Sequence, residues 1–290
     1  MTPKLIKTYN DLVTSHDAIK RGFTVQAIAK TEKSAPYIER ALEFSLAIKD
    51  VKSVEELLEL KKFRKEILGA AGFSDKAVSH FTEEEIEESI RIVLDRVFNN
   101  EISVVRNELV YRYLLTKGDT LGGSMRNYVG ASANTKLIGF LTSALEKKKI
   151  DYKVITKKSG KVAGLEWKGR SIVFDFKLKV IGKNIDVILL DTSQSTTLES
   201  LTEINYLAFG ELKGGIDPAG ADEHWKTASS ALLRIKKAFN NAPLFFVAAA
   251  IETDMAKEIY EQLENNTLTH VANLGVDAQV EDLAHWLISL

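Results

Sequence analysis

Apolar residues recur at three- and four-residue spacing through the first half of the chain, which is the pattern of helices with one buried face. Ser53 with Glu56, and Thr82 with Glu85, have the spacing of a capping box, in which the two side chains satisfy amides of the first helical turn. The spacing predicts helices over roughly residues 17–49, 53–69, 83–98 and 101–116. We therefore expect the first half to be largely helical.

The period changes to two after about residue 150, in the segment SIVFDFKLKV that begins at Ser171. Strict alternation of this kind predicts a half-buried strand. Its expected core face carries Phe174, Phe176, Leu178 and Val180. The turn signal Gly182-Lys183-Asn184 follows it, and the runs IDVILLD and YLAFGELK then predict a second and a third strand.

Helices and strands alternate in the remainder of the chain. The apolar stripe of Trp225, Ala228, Leu232 and Ile235 predicts a helix over roughly 222–240. PLFFVAAAI is typical of a strand buried on both faces, and a helix over about 254–265, the strand HVANL and the helix VEDLAHWLISL come after it. The order predicts an α/β fold with a mixed central sheet flanked by helices, on which the helical N-terminal half is an elaboration. We place the helical region at residues 1–115 and the core at 116–290, as one integrated unit.

Composition narrows the possible classes of protein. The chain has no cysteine, which excludes disulfides and thiolate zinc sites. It has no run of 18 or more apolar residues and no apolar N-terminal segment typical of a signal peptide, so we expect a cytoplasmic protein without membrane contact. The net charge of −1 neither favours nor excludes a nucleic-acid partner. Lysines concentrate between Lys147 and Lys183, which alone favours a solvated face.

Glu211 and Lys213 are the candidate catalytic pair. They are two residues apart in a predicted strand, so a carboxylate and an ammonium project to the same side of it. A second carboxylate beside them would make an oxygen-rich site for Mg²⁺ and suit phosphodiester hydrolysis. An exposed ion pair is the alternative, because this tripeptide pattern is common by chance. The loop GGIDPAG, which follows at once, favours the functional interpretation.

Two aspartates are candidates for the second carboxylate. Asp186 lies at the start of the preceding predicted strand, and Asp191 closes it. Alternation puts them on opposite faces, so both can point into one site only if the strand contains a bulge. We favour Asp186 as a metal ligand with Glu211, and keep Asp191 as the alternative catalytic acid.

The stretch GELKGGIDPAGADEHWKTA resembles the core of type II restriction endonucleases of the PD-(D/E)XK superfamily, most closely the AvaI/BsoBI group. The resemblance is specific over about 20 residues. It implies a restriction-endonuclease-like core that cleaves double-stranded DNA with Mg²⁺ as a homodimer. Glu211 and Lys213 would be its E-x-K pair, and His224 would lie near the attacking water. The superfamily's proline precedes neither Asp186 nor Asp191, which leaves the identity of the aspartate open.

A glycine-rich segment from Thr116 to Leu137 is the second unusual stretch. Its run GDTLGGSMRN is similar to segments of several restriction endonucleases, and we interpret it as a DNA-facing loop or helix start, with a glycine-rich turn between helices as the alternative. It lacks the G-K-[ST] ending of a phosphate-binding loop, so no nucleotide cofactor is expected. The candidate DNA contacts are Lys117, Arg126, Asn127 and Lys136, together with Asp217 of the later loop.

Two other functions remain open at this point. A repair or mobile-element nuclease can be built on the same core. A DNA-binding protein can retain the fold without catalysis.

Overall fold

The structure, a computed structural model, describes residues 5–97, 102–158, 160–192 and 205–290. Its α-helices over these residues are α1 (His16–Ala47), α2 (Val54–Leu58), α3 (Arg64–Ala70), α4 (Asp75–Val78), α5 (Glu83–Val97), α6 (Ile102–Lys147), α7 (Ala221–Ala238), α8 (Thr253–Glu264) and α9 (Asp277–Ser289). Its strands are β1 (Lys153–Thr156), β2 (Val162–Trp167), β3 (Arg170–Leu178), β4 (Lys183–Leu190), β5 (Tyr206–Lys213), β6 (Leu244–Ala248) and β7 (His270–Asn273). None of the helices in these ranges is long and apolar enough to cross a membrane.

The chain forms two compact units. One consists of Met1–Thr24 and Tyr128–Leu290, and the other of Val25–Asn127. The second unit is helical and has a core of its own. That core packs Phe44, Ile67, Ile90 and Tyr113 from four different helices, all of them at most 2% exposed.

The first unit is built on a seven-stranded mixed sheet in which the strands follow one another in sequence order. β1 to β5 are antiparallel to their neighbours, and β5, β6 and β7 are parallel. The predicted mixed sheet flanked by helices is confirmed, as is the helical N-terminal half. The expected strands correspond to β3 to β7, whereas β1 and β2 were not predicted because their short, lysine-flanked segments carry little apolar signal.

Helices cover both faces of this sheet. Trp225 and Leu232 of α7 pack with Ile259 of α8 against one face, where Phe209 and Phe246 stand. The other face is covered by the C-terminal part of α6 and by α9. The residues that α6 buries there follow at helical spacing: Ala133, Leu137, Leu141 and Ala144. The sheet is therefore enclosed on both sides, which is why every residue of β6, the part LFFVA of the run PLFFVAAAI, is buried.

One predicted strand face is wrong, and the backbone explains why. Asp175 has φ 54°, in the left-handed region that non-glycine residues rarely adopt. The ladder between β3 and β4 pairs Phe174 with Val187 and Phe176 with Ile185, without a pair at Asp175. Phe174 consequently packs with α6 and α9, whereas Phe176 packs on the opposite face. Val180, expected in the core, is 74% exposed.

The glycine-rich segment is also not a loop. Thr116 to Leu137 lies wholly inside α6, which continues from Ile102 to Lys147 without a break. Each helical glycine costs about 1 kcal/mol relative to alanine, but the burial of apolar residues at helical spacing on both sides outweighs that cost. The expected helix over 53–69 is interrupted instead, because the chain leaves the helical conformation at Leu60.

Candidate active site

The candidate site lies where β4 begins and β5 ends. The two strands are antiparallel and pair Val187 with Gly210, so the next position along places Asp186 beside Glu211. Gly210 allows this arrangement, because a Cβ there would lie 2.2 Å from the ring of the fully buried Phe245. The packing of β5 in the core therefore determines the position of its last three residues, Glu211 to Lys213.

Three side chains from these strands share one hydrogen-bond network. The Lys213 Nζ donates to Asp186 Oδ2 at 2.8 Å and to Glu211 Oε2 at 2.7 Å. The Leu212 backbone amide also donates to Asp186 Oδ2, at 2.9 Å. The structure thus brings Asp186, Glu211 and Lys213 together, two carboxylates around one ammonium.

Burial makes this cluster electrostatically unusual. Glu211 is 4% exposed, and desolvation together with the negative charge of Asp186 raises its pKa to about 7, even though Lys213 acts in the opposite direction. Desolvation lowers the pKa of Lys213, but the two carboxylates outweigh it and raise that pKa above its ordinary value. A carboxyl group that holds its proton near neutral pH is typical of functional sites.

The donor set fits a hard divalent cation. Mg²⁺ is usually held by one or two carboxylates and keeps several water ligands, and Asp186 and Glu211 supply two carboxylates on neighbouring strands. Within the described ranges, no group of three or more acidic or histidine side chains surrounds a possible metal position. A cation bound here would favour the ionised form of Glu211, which burial and the negative charge of Asp186 disfavour.

Asp191 stands apart from this cluster. It follows the last residue of β4, and its side chain is 55% exposed and lies 3.5 Å from the Arg170 Nε. Within the described residues it makes no hydrogen bond to Glu211 or Lys213. The distinction between Asp186 and Asp191 depends on how far β4 extends along β5, which alternation alone could not reveal.

His224 lies in the first turn of α7, with an exposed side chain. Its ring is turned towards the loop GGIDPAG that follows β5, since a Cβ on Gly215 would lie 3.2 Å from the His224 Nε2. The ring makes no hydrogen bond to Asp186, Glu211 or Lys213 in the described part of the chain. Asp217, in the same loop, is exposed and accepts a hydrogen bond from the Ala219 amide at 3.0 Å.

The four candidate DNA contacts on α6 differ in their surroundings. Lys117 is 7% exposed, and its Nζ lies 2.8 Å from Asp75 Oδ1. The Lys136 Nζ lies 2.7 Å from Asp277 Oδ1. Arg126 and Asn127 are exposed. Two of the three cations among them, Lys117 and Lys136, are thus already paired with a carboxylate.

Asp175 is a residue near this cluster to which the sequence pattern assigned no role. Its left-handed backbone lies directly across the β3–β4 ladder from Asp186. Its Oδ1 accepts a hydrogen bond from the Asn184 Nδ2 at 3.1 Å. The sequence does not indicate a positive φ at this position, because glycine is the residue type that usually signals one and the residue here is aspartate.

Comparison with known proteins adds evidence that is independent of this geometry. The family model described as "Restriction endonuclease BsobI" matches residues 3–290. The type II restriction enzyme AvaI of Nostoc sp. is 38% identical to this chain, over 98% of both proteins, and AvaI of Anabaena variabilis has the same identity and coverage. The type II restriction enzyme BsoBI of Geobacillus stearothermophilus is 36% identical, over 98% of this chain and 97% of that enzyme.

Proposed function

Because this chain belongs to the BsoBI restriction endonuclease family, we propose that it is a type II restriction endonuclease that hydrolyses double-stranded DNA at a specific sequence with Mg²⁺. The observation that supports the site is the single ammonium of Lys213 shared by the carboxylates of Asp186 and Glu211. Family membership and a buried acid–base cluster support the same proposal by separate routes.

Asp186 and Glu211 would hold the metal in this proposal. Bound Mg²⁺ lowers the pKa of a water molecule and neutralises charge that develops on the phosphate. Glu211 must give up its proton first, because burial keeps part of this group protonated near neutral pH. Lys213 donates a hydrogen bond to each carboxylate, and in this proposal its ammonium would stabilise negative charge on the reacting phosphate.

His224 is proposed as a base near the attacking water, since an imidazole can accept a proton close to neutral pH. Support for this role is limited to the exposure of its ring and the position of that ring beside Gly215. Among the candidate DNA contacts, Arg126 and Asn127 are exposed, as is Asp217. Lys117 and Lys136 would have to exchange their carboxylate partners for phosphate.

A homodimer and a cytoplasmic location belong to the same proposal. Twofold symmetry lets each subunit read one half of a palindromic site and cut one strand. The cytoplasm is where the protein would meet its DNA substrate.

The test is digestion of a DNA of known sequence with Mg²⁺, followed by sequencing of the ends. Discrete fragments with a common terminal sequence are expected. Asp186→Asn should reduce cleavage by at least about 100-fold, the scale on which loss of one transition-state contact acts. Asp191→Asn, the matched control, should stay within about threefold of the wild-type rate.

Each alternative has its own outcome. A smear of ends would indicate a nonspecific nuclease of repair or mobile-element type. Absence of cleavage with Mg²⁺ and with Mn²⁺ would indicate a non-catalytic DNA-binding protein. Equal losses in Asp186→Asn and Asp191→Asn would refute the site assignment but not the enzyme.

A further inference from the structure

Two turns of the sheet carry several lysines and no acidic residue. Residues 157–161 connect β1 to β2, and residues 177–183 include the end of β3 and the turn into β4. We name the six exposed lysines of these two segments the basic edge: Lys157, Lys158, Lys161, Lys177, Lys179 and Lys183.

The strand order places the basic edge at the same end of the sheet as the catalytic cluster. Since β1 to β5 alternate in direction, the β1–β2 turn, the β3–β4 turn and the end of β5 all lie at one end. The two turns are also close to each other, since the Lys157 Nζ of the first lies 4.0 Å from Asp175 Oδ2 of β3. Lys183 precedes Asp186 by three residues, which is about 10 Å along a strand.

Four of the six lysines of the basic edge have no neutralising carboxylate among the described residues. Lys158, Lys161, Lys177 and Lys183 form no ion pair with any carboxylate in the described ranges of the chain. This contrasts with Lys117, whose Nζ is paired with Asp75. Unpaired like charges held on one surface repel one another, so their concentration favours an anionic partner.

Protection of an exposed strand edge does not explain this arrangement. Lysines on edge strands prevent unwanted pairing with other sheets, and Lys153 on the edge strand β1 can serve that purpose. The β3–β4 turn, however, joins the third and fourth of seven strands, which are both paired on each side. Edge protection therefore does not explain the lysines of the β3–β4 turn.

We propose that the basic edge binds the sugar–phosphate backbone of duplex DNA beside the phosphate that is cut. The inference rests on the proposed nuclease function and assigns a role to lysines whose sequence pattern alone favours a solvated face. Lysine acts as a point charge towards phosphate and carries no base information by itself. The basic edge thus contributes affinity and alignment of the duplex, while other residues read the sequence.

The test measures how binding of a fluorescent duplex of about 20 base pairs and arbitrary sequence depends on salt, without divalent metal. Counterion release makes log K fall with log salt by about 0.9 per phosphate contact. The test variant replaces three unpaired lysines of the basic edge: Lys158→Gln, Lys161→Gln and Lys183→Gln. The matched control removes the same charge from exposed lysines before β1, in β1 and in the β2–β3 turn: Lys148→Gln, Lys153→Gln and Lys168→Gln.

We expect the slope of the test variant to be smaller in magnitude by about 2 to 3, and that of the control to change by less than about 0.5. Arginine at the three test positions should restore the wild-type slope, which excludes misfolding as the cause. Equal slopes for test and control variants, with wild-type cleavage intact, would overturn the inference and leave the proposed function standing. A wild-type protein that neither binds duplex nor cleaves it would refute both.

Discussion

Glu211→Gln should stabilise the metal-free protein at alkaline pH while abolishing cleavage. Burial raises the pKa of Glu211 from 4.5 to about 7, so folding opposes its ionisation. A raised carboxyl pKa means that wild-type stability is highest when the group is protonated and falls as pH rises from 4.5 through 7. Each tenfold change in ionisation constant is about 1.4 kcal/mol, which makes the full penalty about 3 kcal/mol at pH 8. Glutamine removes that penalty and can still accept the hydrogen bond from Lys213.

The assay is urea denaturation in EDTA at pH 8 and at pH 5. The gain of Glu211→Gln in free energy of unfolding should be about 3 kcal/mol at pH 8 and under about 1 kcal/mol at pH 5, where the wild-type group is already protonated in the folded state. The exposed Glu223→Gln serves as control and should change stability by less than about 0.5 kcal/mol at either pH.

Added Mg²⁺ supplies an independent arm of the same experiment. A ligand that binds only the folded state raises its stability in proportion to the logarithm of ligand concentration above Kd. Wild-type protein should be stabilised by millimolar Mg²⁺ at pH 8, and Glu211→Gln should not. A glutamine variant that loses stability equally at both pH values would refute the reasoning, because Glu211 would then be an ordinary stabilising partner of Lys213.

Substitutions at three further positions test the surrounding structure. Gly210→Ala should lower the free energy of unfolding by about 2 kcal/mol or more and reduce cleavage, because the new Cβ would clash with Phe245. Gly139→Ala is the control in the same denaturation assay. Its Cβ meets nothing within 4 Å, so the variant should be as stable as the wild type or more stable. At the positive φ of Asp175, glycine should be better tolerated than alanine by about 1 kcal/mol; equal thermal unfolding of the two variants would contradict backbone strain there. Burial lowers the pKa of His270, so its contribution to stability is present above its ordinary pKa of 6.5 and is lost as pH falls below that value. His270→Gln should therefore lose less Tm than the wild type between pH 7.5 and 5.5. Parallel curves of Tm against pH for the two proteins would refute this prediction.

The pattern of apolar residues was sufficient to predict much of the secondary structure that forms the core of the first unit. The runs YLAFGELK and PLFFVAAAI predicted β5 and β6, because short apolar runs of this length are typical of strands with one or both faces buried. The stripe containing Trp225 likewise predicted α7. Glu211 and Lys213 could be paired from sequence because residues two apart in a strand share a side.

Interpretation of the lysine-rich region depended on tertiary structure. From sequence, the concentration between Lys147 and Lys183 was only a charged stretch. Strand order brings two of its turns to the end of the sheet that holds Glu211, because antiparallel neighbours return to the same edge. Proximity to the site is a property of topology, which a local charge pattern does not contain.

The family, the mixed sheet and the candidate pair of Glu211 and Lys213 could all be predicted from sequence, because they depend on local period and on a motif of contiguous residues. Only the tertiary structure distinguished the places of Asp186 and Asp191, since that distinction depends on the register between two strands. Asp175 shows the same limit, because its left-handed backbone reverses an alternation that looked regular in the sequence. Register and backbone strain arise from packing between distant segments, and no single segment carries that information.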